Sequence, residues 1–180
     1  PGVTVDVDDR RYVAMYTSSS IYQTPSMYVY NKSTGVYIGT ATVTTSNCNL
    51  NSLYTYYDAA EDNGTVWTIS YNYRLISKWT VSGSSWSCVQ SYSFGSNFYY
   101  PMGVSIDPRD DQMYVLMRDS SGTITYNVWK VSRSSPTTAT ATYYLGSSST
   151  LPHNMAGLDV QMPRVTVNRY STCSSNHYIF

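Results

Sequence analysis

Short runs rich in Val, Tyr and Thr alternate along the chain with stretches rich in Gly, Asn, Ser and Pro. Within several runs, side chains that suit the two faces of a sheet alternate, as in Met-Tyr-Val-Tyr at 27–30. A period of two, carried by β-branched and aromatic residues, is typical of β-strands. We therefore expect an all-β fold with negligible helix.

One phrase recurs at a long interval. Gly-Val-Thr-Val-Asp at 2–6 and Arg-Tyr-Val-Ala-Met at 11–15 return as Gly-Val-Ser-Ile-Asp at 103–107 and Met-Tyr-Val-Leu-Met at 113–117. The offset is about 101 residues, roughly twice the 40–50 residue period of propeller repeats. A weaker copy, Val-Trp-Thr-Ile at 66–69, lies between them.

A second set of strands gives the same period. Met-Tyr-Val-Tyr at 27–30, Ile-Ser-Lys-Trp at 76–79 and Val-Trp-Lys-Val at 128–131 are about 50 residues apart. Each runs into a turn-like stretch and then another strand-like run, at 36–43, 86–92 and 138–145. One repeat is thus predicted to be a four-stranded antiparallel meander. Such a sheet must stack on copies of itself, and radial stacking gives a β-propeller.

The period also predicts the organisation of the chain. Residues 1–180 are expected to form a single propeller segment with repeats near 1–50, 51–101, 102–152 and an incomplete 153–180. Inner strands are expected near 2–6, 53–57, 103–107 and 156–160. About three and a half blades fall short of a closed propeller. This predicts a longer chain, with closure by a second copy or another chain as the alternative.

The third repeat resembles a known kind of blade. Gly-Val-Ser-Ile-Asp-Pro at 103–108, followed by Met-Tyr-Val-Leu at 113–116 and Val-Trp-Lys-Val at 128–131, resembles blades of the NHL/YVTN-type propellers. The resemblance covers the chain as three full repeats and part of a fourth. It implies a propeller fold and no particular activity. The second repeat departs from the pattern, with Tyr-Thr-Tyr-Tyr-Asp at 54–58 in place of the Gly-Val opening.

Composition and charge favour an extracellular protein. Lys and Arg number 11 and Asp and Glu number 11, so the net charge is zero. Nucleic acid is therefore not an expected partner, because binding it needs clustered positive charge. No apolar run approaches the roughly 20 residues of a membrane span. A surface built from Ser, Thr and 20 Tyr predicts secretion or cell-surface attachment. The expected partners are other protein chains, and glycans are further candidates.

The chain has three cysteines, Cys48, Cys88 and Cys173. We favour a Cys48–Cys88 disulfide, because these two residues lie at the ends of neighbouring repeats. The odd cysteine, Cys173, is left free or paired outside the segment. None has the spacing of a zinc site, and no metal or cofactor is expected.

No catalytic residue is assigned from the sequence. Six aspartates form two groups on predicted hairpins, where turn chemistry explains them better than a calcium loop or an acid/base pair; they are Asp6, Asp8, Asp9, Asp107, Asp110 and Asp111. The two histidines are His153 and His177. His153 lies in a loop that could line the axial opening, but an ordinary loop residue is the favoured interpretation.

Two further features suggest surface roles. Asn31 and Asn63 begin N-glycosylation sequons in predicted turns. Phe98, Tyr99 and Tyr100 stand together in the loop predicted at 97–101, which makes them the candidate contact surface.

Two function classes follow. The favoured one is a non-catalytic structural or adhesive propeller module of an extracellular or cell-surface assembly. The alternative is a secreted propeller enzyme, or a carbohydrate- or ligand-binding domain, whose site lies at the axial opening between loops such as 97–101 and 151–154.

Overall fold

The computed structural model describes residues 3–15, 26–48, 56–107, 109–151, 155–161, 164–169 and 178–179. Within these residues the regular structure is entirely β, as predicted. The strands are β1 Val3–Val7, β2 Arg10–Met15, β3 Ser26–Asn31, β4 Tyr37–Thr40, β5 Thr42–Thr44, β6 Tyr56–Asp62, β7 Thr65–Ser70, β8 Leu75–Ser82, β9 Ser85–Ser93, β10 Tyr99–Asp107, β11 Gln112–Asp119, β12 Thr125–Ser132, β13 Ser135–Ser147, β14 Met155–Gln161, β15 Arg164–Arg169 and β16 Tyr178–Ile179. None of the described residues forms a helix that could cross a membrane.

The strands form four sheets, which we call the first to fourth blades. The first blade is β1–β4, the second is β6–β9 with β5 added at its outer edge, the third is β10–β13, and the fourth is β14–β16 as far as it is described. Consecutive strands of each meander pair antiparallel. The inner strands are neighbours, since β6 contacts β1 and β10, and β10 contacts β14. The predicted four-stranded repeat is confirmed.

Two strand predictions need correction. The inner strand predicted at 53–57 is observed as β6, Tyr56–Asp62, and residues 53–55 lie outside the described part. The run predicted as one strand at 36–43 is broken at Ala41, whose amide donates to the carbonyl of Met27. The next amide, that of Thr42, donates to Ser84 instead, so β5 runs parallel to β9 of the second blade.

Hydrophobic cores fill the spaces between neighbouring blades. Between the first two blades Trp86 packs edge-on against Tyr12 and tilted against Trp79, with ring centroids 5.4 and 6.0 Å apart. A second core joins the second and third blades around Trp67 and Met113. A third cluster continues to the fourth blade. The faces that neighbouring blades turn toward each other are therefore buried, as stacked repeats require.

Candidate functional site

The carboxylate of Asp58 joins the inner strands of three blades. Asp58 lies near the start of β6, and its Oδ2 accepts hydrogen bonds from the backbone N–H groups of Val104 and Leu158, both at 3.0 Å. Its Oδ1 accepts a third from the N–H of Ala59, also at 3.0 Å. Bonds to a carboxylate are stronger than bonds between neutral groups. Asp58 therefore serves as an acceptor that fixes β6, β10 and β14 relative to one another.

This contact explains why the second repeat departs from the repeated phrase. Val104 and Leu158 each follow the opening glycine of their repeats, at Gly103 and Gly157. The second repeat has Tyr-Tyr-Asp at this place and supplies the acceptor that the other two repeats use. Sequence reasoning missed Asp58, although the departure from the pattern was the available signal.

A cluster of two tyrosines and two arginines lies at the same end of the blades. The rings of Tyr71 and Tyr100 stack with centroids 4.8 Å apart. The guanidinium carbons of Arg74 and Arg118 lie 5.6 and 5.4 Å from the centroid of the Tyr100 ring. Arg118 also donates a hydrogen bond of 2.9 Å to the Tyr71 hydroxyl. We call these four residues the arginine–tyrosine cluster.

Three separate segments build this cluster. Tyr71 and Arg74 belong to the turn between β7 and β8. Tyr100 stands at the start of β10, and Arg118 faces it across the β10–β11 ladder. Antiparallel pairing brings the start of an inner strand to the same end as the turn between the second and third strands of a blade. The cluster therefore joins the second blade to the third at this end.

The predicted contact surface is divided by the structure. Tyr99 and Tyr100 belong to β10 and not to a loop, which corrects the prediction. Tyr99 packs edge-on against Trp129 at 5.1 Å between centroids. Tyr100 joins the arginine–tyrosine cluster, and Phe98 is 51% exposed. Of the three, Phe98 is the one whose side chain is mainly open to solvent.

The two arginines of the arginine–tyrosine cluster differ from most of the other described arginine side chains in their ion pairs. Arg10, Arg11, Arg109 and Arg133 each pair with an aspartate within 4 Å. Among the described side chains, no Asp or Glu makes such a pair with the two cluster arginines.

The aspartates singled out from the sequence have structural partners at the opposite end of the blades. The Arg109 side chain donates hydrogen bonds to both carboxylate oxygens of Asp107, and its backbone N–H donates another; these bonds lower the pKa of Asp107 to about 2. Hydrogen bonds from Arg11 and from Lys130 lower the pKa values of Asp6 and Asp110.

Two more of these aspartates serve the turns themselves. Asp8 and Asp111 adopt positive φ angles of 53° and 57°, which Asp tolerates better than most residues. Within the described residues, no group of three or more candidate ligands could hold a metal ion.

The structure places the other predicted residues as follows. Cys48 and Cys88 form a disulfide with Cα atoms 5.9 Å apart, joining the residue stretch after β5 to β9. The Oδ1 atom of Asn31 accepts hydrogen bonds from the backbone and side chains of the next turn. Asn63 is exposed in the β6–β7 turn. Predicted residues outside the described part are Cys173, His153 and His177.

Comparisons with known proteins give the fold. No protein-family model matches the chain, and no curated protein matches it. Among solved structures, a luciferin-regenerating enzyme is 15% identical with a TM-score of 0.55, over 93% of this chain and 52% of the other. An alpha-L-arabinofuranosidase from Clostridium thermocellum is 12% identical with a TM-score of 0.59, over 99% and 66%. A structure of a nidogen/laminin complex is 11% identical with a TM-score of 0.53, over 99% and 74%.

These neighbours are propeller-type folds, and they confirm the propeller resemblance. The chain spans about half to two thirds of the length of the first two. At such low identity the likeness shows the fold alone. The neighbours include two enzymes as well as a chain of a nidogen/laminin complex, so the fold leaves both function classes open.

Proposed function

We propose that this chain is a non-catalytic propeller module, with blades of the NHL/YVTN type, that serves a structural or adhesive role in an extracellular or cell-surface assembly. One observation carries the proposal. Among the described side chains, eight large apolar or aromatic ones are exposed, and six of these lie on or beside the outer strands of the blades: Val36, Tyr37, Ile38, Val89, Tyr143 and Tyr144. Exposed apolar groups concentrated in this way mark contact surfaces.

The outer edge of the third blade is well suited to another protein chain. β13 is 13 residues long and ends its sheet within the described residues. A long edge strand presents unpaired N–H and C=O groups, and soluble proteins usually protect such edges with charge or proline. β13 carries one proline, Pro136, at its beginning and no charged residue. Tyr144, in the second half of the strand, is 65% open to solvent.

The first blade offers a similar aromatic surface. The ring of Tyr37 on β4 lies 6.2 Å from that of Tyr28 and 5.5 Å from that of Tyr30. Counted back from the turn that follows each strand, Tyr28 and Tyr30 occupy the positions of Trp129 and Val131 in the third blade. Those two pack against the preceding blade. The matching face of the first blade thus has the side chains of a packing surface.

The disulfide supports the proposed location. Disulfides form and persist in oxidising compartments, and they are rare in the cytosol. Cys48–Cys88 therefore favours secretion. The exposed turn at Asn63 suits a glycan on that route. Other protein chains are the proposed partners.

The state of the protein in its native source tests the proposal. We expect sedimentation velocity to find it in a large assembly. Replacing Tyr144 with Lys should lower the assembled fraction, because it puts charge on the β13 edge. The matched control is Ser121→Lys, which adds the same charge in an exposed turn. A soluble monomer that turns over a substrate, or that retains a small ligand tightly, would overturn the structural role.

A further inference from the structure

The arginine–tyrosine cluster lies away from the outer edges of the blades and has a composition of its own. Two guanidinium groups lie against one ring, Tyr100, and neither pairs with a carboxylate among the described side chains. We propose that this cluster binds an acidic saccharide, that is, a sugar that carries a carboxylate or a sulfate group. This site goes beyond the structural role proposed above and is independent of it.

The charge distribution around the cluster supports an anionic ligand. The chain has equal numbers of acidic and basic residues, and Arg10, Arg11, Arg109 and Arg133 each form an ion pair with an aspartate. Asp119 follows Arg118 directly in β11, but successive side chains of a strand point to opposite faces. The carboxylate of Asp119 accepts a hydrogen bond from the backbone N–H of Ser121 instead. Asp58, at the same end, is held by the amides of Val104 and Leu158.

The surroundings of the two arginines also favour binding of an anion. Both are only partly exposed, so a ligand would meet guanidinium groups in surroundings less polar than water, where attraction between charges is stronger. A guanidinium is planar, and its N–H groups fit the two oxygens of a carboxylate or sulfate. The bond from Arg118 to the Tyr71 hydroxyl occupies one of five N–H donors and holds the side chain in position. Such preorganisation lowers the entropic cost of binding.

Aromatic side chains beside the cluster favour a sugar over a simple anion. Tyr73, next to Arg74 in the chain, is 42% exposed, and Phe98, two residues before Tyr100, is 51% exposed. A sugar ring has apolar C–H faces and polar edges. An aromatic ring offers a flat apolar face of matching size, and tyrosine adds a hydroxyl at its rim. Two exposed aromatic side chains thus lie within two sequence positions of the cluster residues Arg74 and Tyr100.

Calorimetric titration of the protein at low salt tests the proposal with four probes. These are a trigalacturonate, a sulfated carrageenan disaccharide that carries no carboxylate, neutral maltotriose and inorganic sulfate. We expect at least one acidic sugar to bind, and maltotriose to show no measurable binding. Inorganic sulfate should bind at least tenfold more weakly than the bound acidic sugar. The two acidic probes distinguish a carboxylate ligand from a sulfate ligand.

Variants locate the site. Arg74→Gln and Arg118→Gln should each weaken binding of the acidic sugar at least tenfold. The matched control is Arg11→Gln, which makes the same change in net charge at the hairpin end of the first blade and should change affinity less than twofold. Arg118→Lys keeps the charge but loses the planar donor pair, so it should also weaken binding. Thermal melts identify any variant that fails to fold. If one of the two variants Arg74→Gln and Arg118→Gln does not fold, the other still tests the site.

Three results would overturn the proposal. The first is no binding of either acidic sugar. The second is an equal loss in Arg11→Gln and Arg118→Gln, which would show an effect of net charge alone. The third is equal affinity for inorganic sulfate and the acidic sugars. None of these results bears on assembly through β13, because these variants leave that edge unchanged.

Discussion

Asp58 provides the most direct test of how the blades are held together. Asp58→Ala removes the acceptor for the N–H groups of Val104 and Leu158, two residues that are 1% and 5% exposed. A buried donor left without a partner costs about 1–3 kcal/mol. Two such donors give an expected loss of about 2–6 kcal/mol in the free energy of unfolding. That is a large share of the roughly 5–15 kcal/mol of a typical domain.

Urea unfolding followed by tryptophan fluorescence measures this loss. Trp67, Trp79 and Trp86 are buried between blades, so their emission reports separation of the sheets. Asp58→Asn keeps the size of the side chain and one carbonyl oxygen, and it should cost less than Asp58→Ala. Amide exchange at Val104 should accelerate in both variants.

The control is another aspartate with an exposed partner. Asp110 pairs with Lys130 at the hairpin end of the third blade, and Asp110→Ala should cost less than about 1 kcal/mol, as is usual for partly exposed ion pairs. If Asp58→Ala loses no more stability than Asp110→Ala, Asp58 does not hold the three inner strands together, and the reasoning is refuted.

Two further predictions concern the disulfide and an ion pair. The Cys48–Cys88 bond closes a loop of 40 residues. Because reduction removes this restraint from the unfolded chain, it should lower the free energy of unfolding by about 4 kcal/mol at 25 °C. Thiol counting and a urea melt of each form check this, and reactive thiols at 48 and 88 in the untreated protein would contradict the disulfide. The pKa of Asp107 is about 2 in the folded protein against an ordinary value of 3.8, so its bonds to Arg109 stabilise the fold above about pH 4, and this stabilisation disappears as the pH falls toward 2. Urea melts of the protein and of Asp107→Asn should therefore differ at pH 6 and converge near pH 2, and a difference that is constant with pH would exclude the ion pair as its cause.

The blade repeat could be predicted because its signals are local. Alternating side chains and turn residues recur within each group of about 50 residues, and each blade forms from its own segment. The strand β5 was not predictable in this way, because residues 36–43 read as one continuous run. Only the position of the second blade determines that Thr42 pairs with Ser84 and that the run divides at Ala41.

The repeated phrase also conceals a shift in strand pairing. Sequence similarity aligns Asp6 with Asp107 and Arg11 with Met113. In the structure Arg11 pairs with Asp6, whereas Met113 pairs with Ile106. The reason is turn length, since two residues separate β1 from β2 and four separate β10 from β11. A one-residue shift places a side chain on the opposite face of a sheet.

The two features at the strand-start end of the blades depend on contacts between distant segments. Asp58 bonds to amides 46 and 100 residues away. Tyr71 and Arg118 are 47 residues apart. No local pattern indicates such contacts. The sequence could show only that the second repeat lacks the Gly-Val opening of the first and third repeats and that aromatic residues cluster near position 99.

The exchange of β5 between blades determines how a pulling force passes through the molecule. β5 lies parallel to β9 over three residue pairs, so tension along the chain between the first and second blades loads these hydrogen bonds in shear. Three pairs alone are a weak connection, but the Cys48–Cys88 bond lies just beyond them and carries the load covalently. The first two blades would then yield as one unit under extension. After reduction, the same force acts on these three residue pairs alone and can shear β5 away from β9.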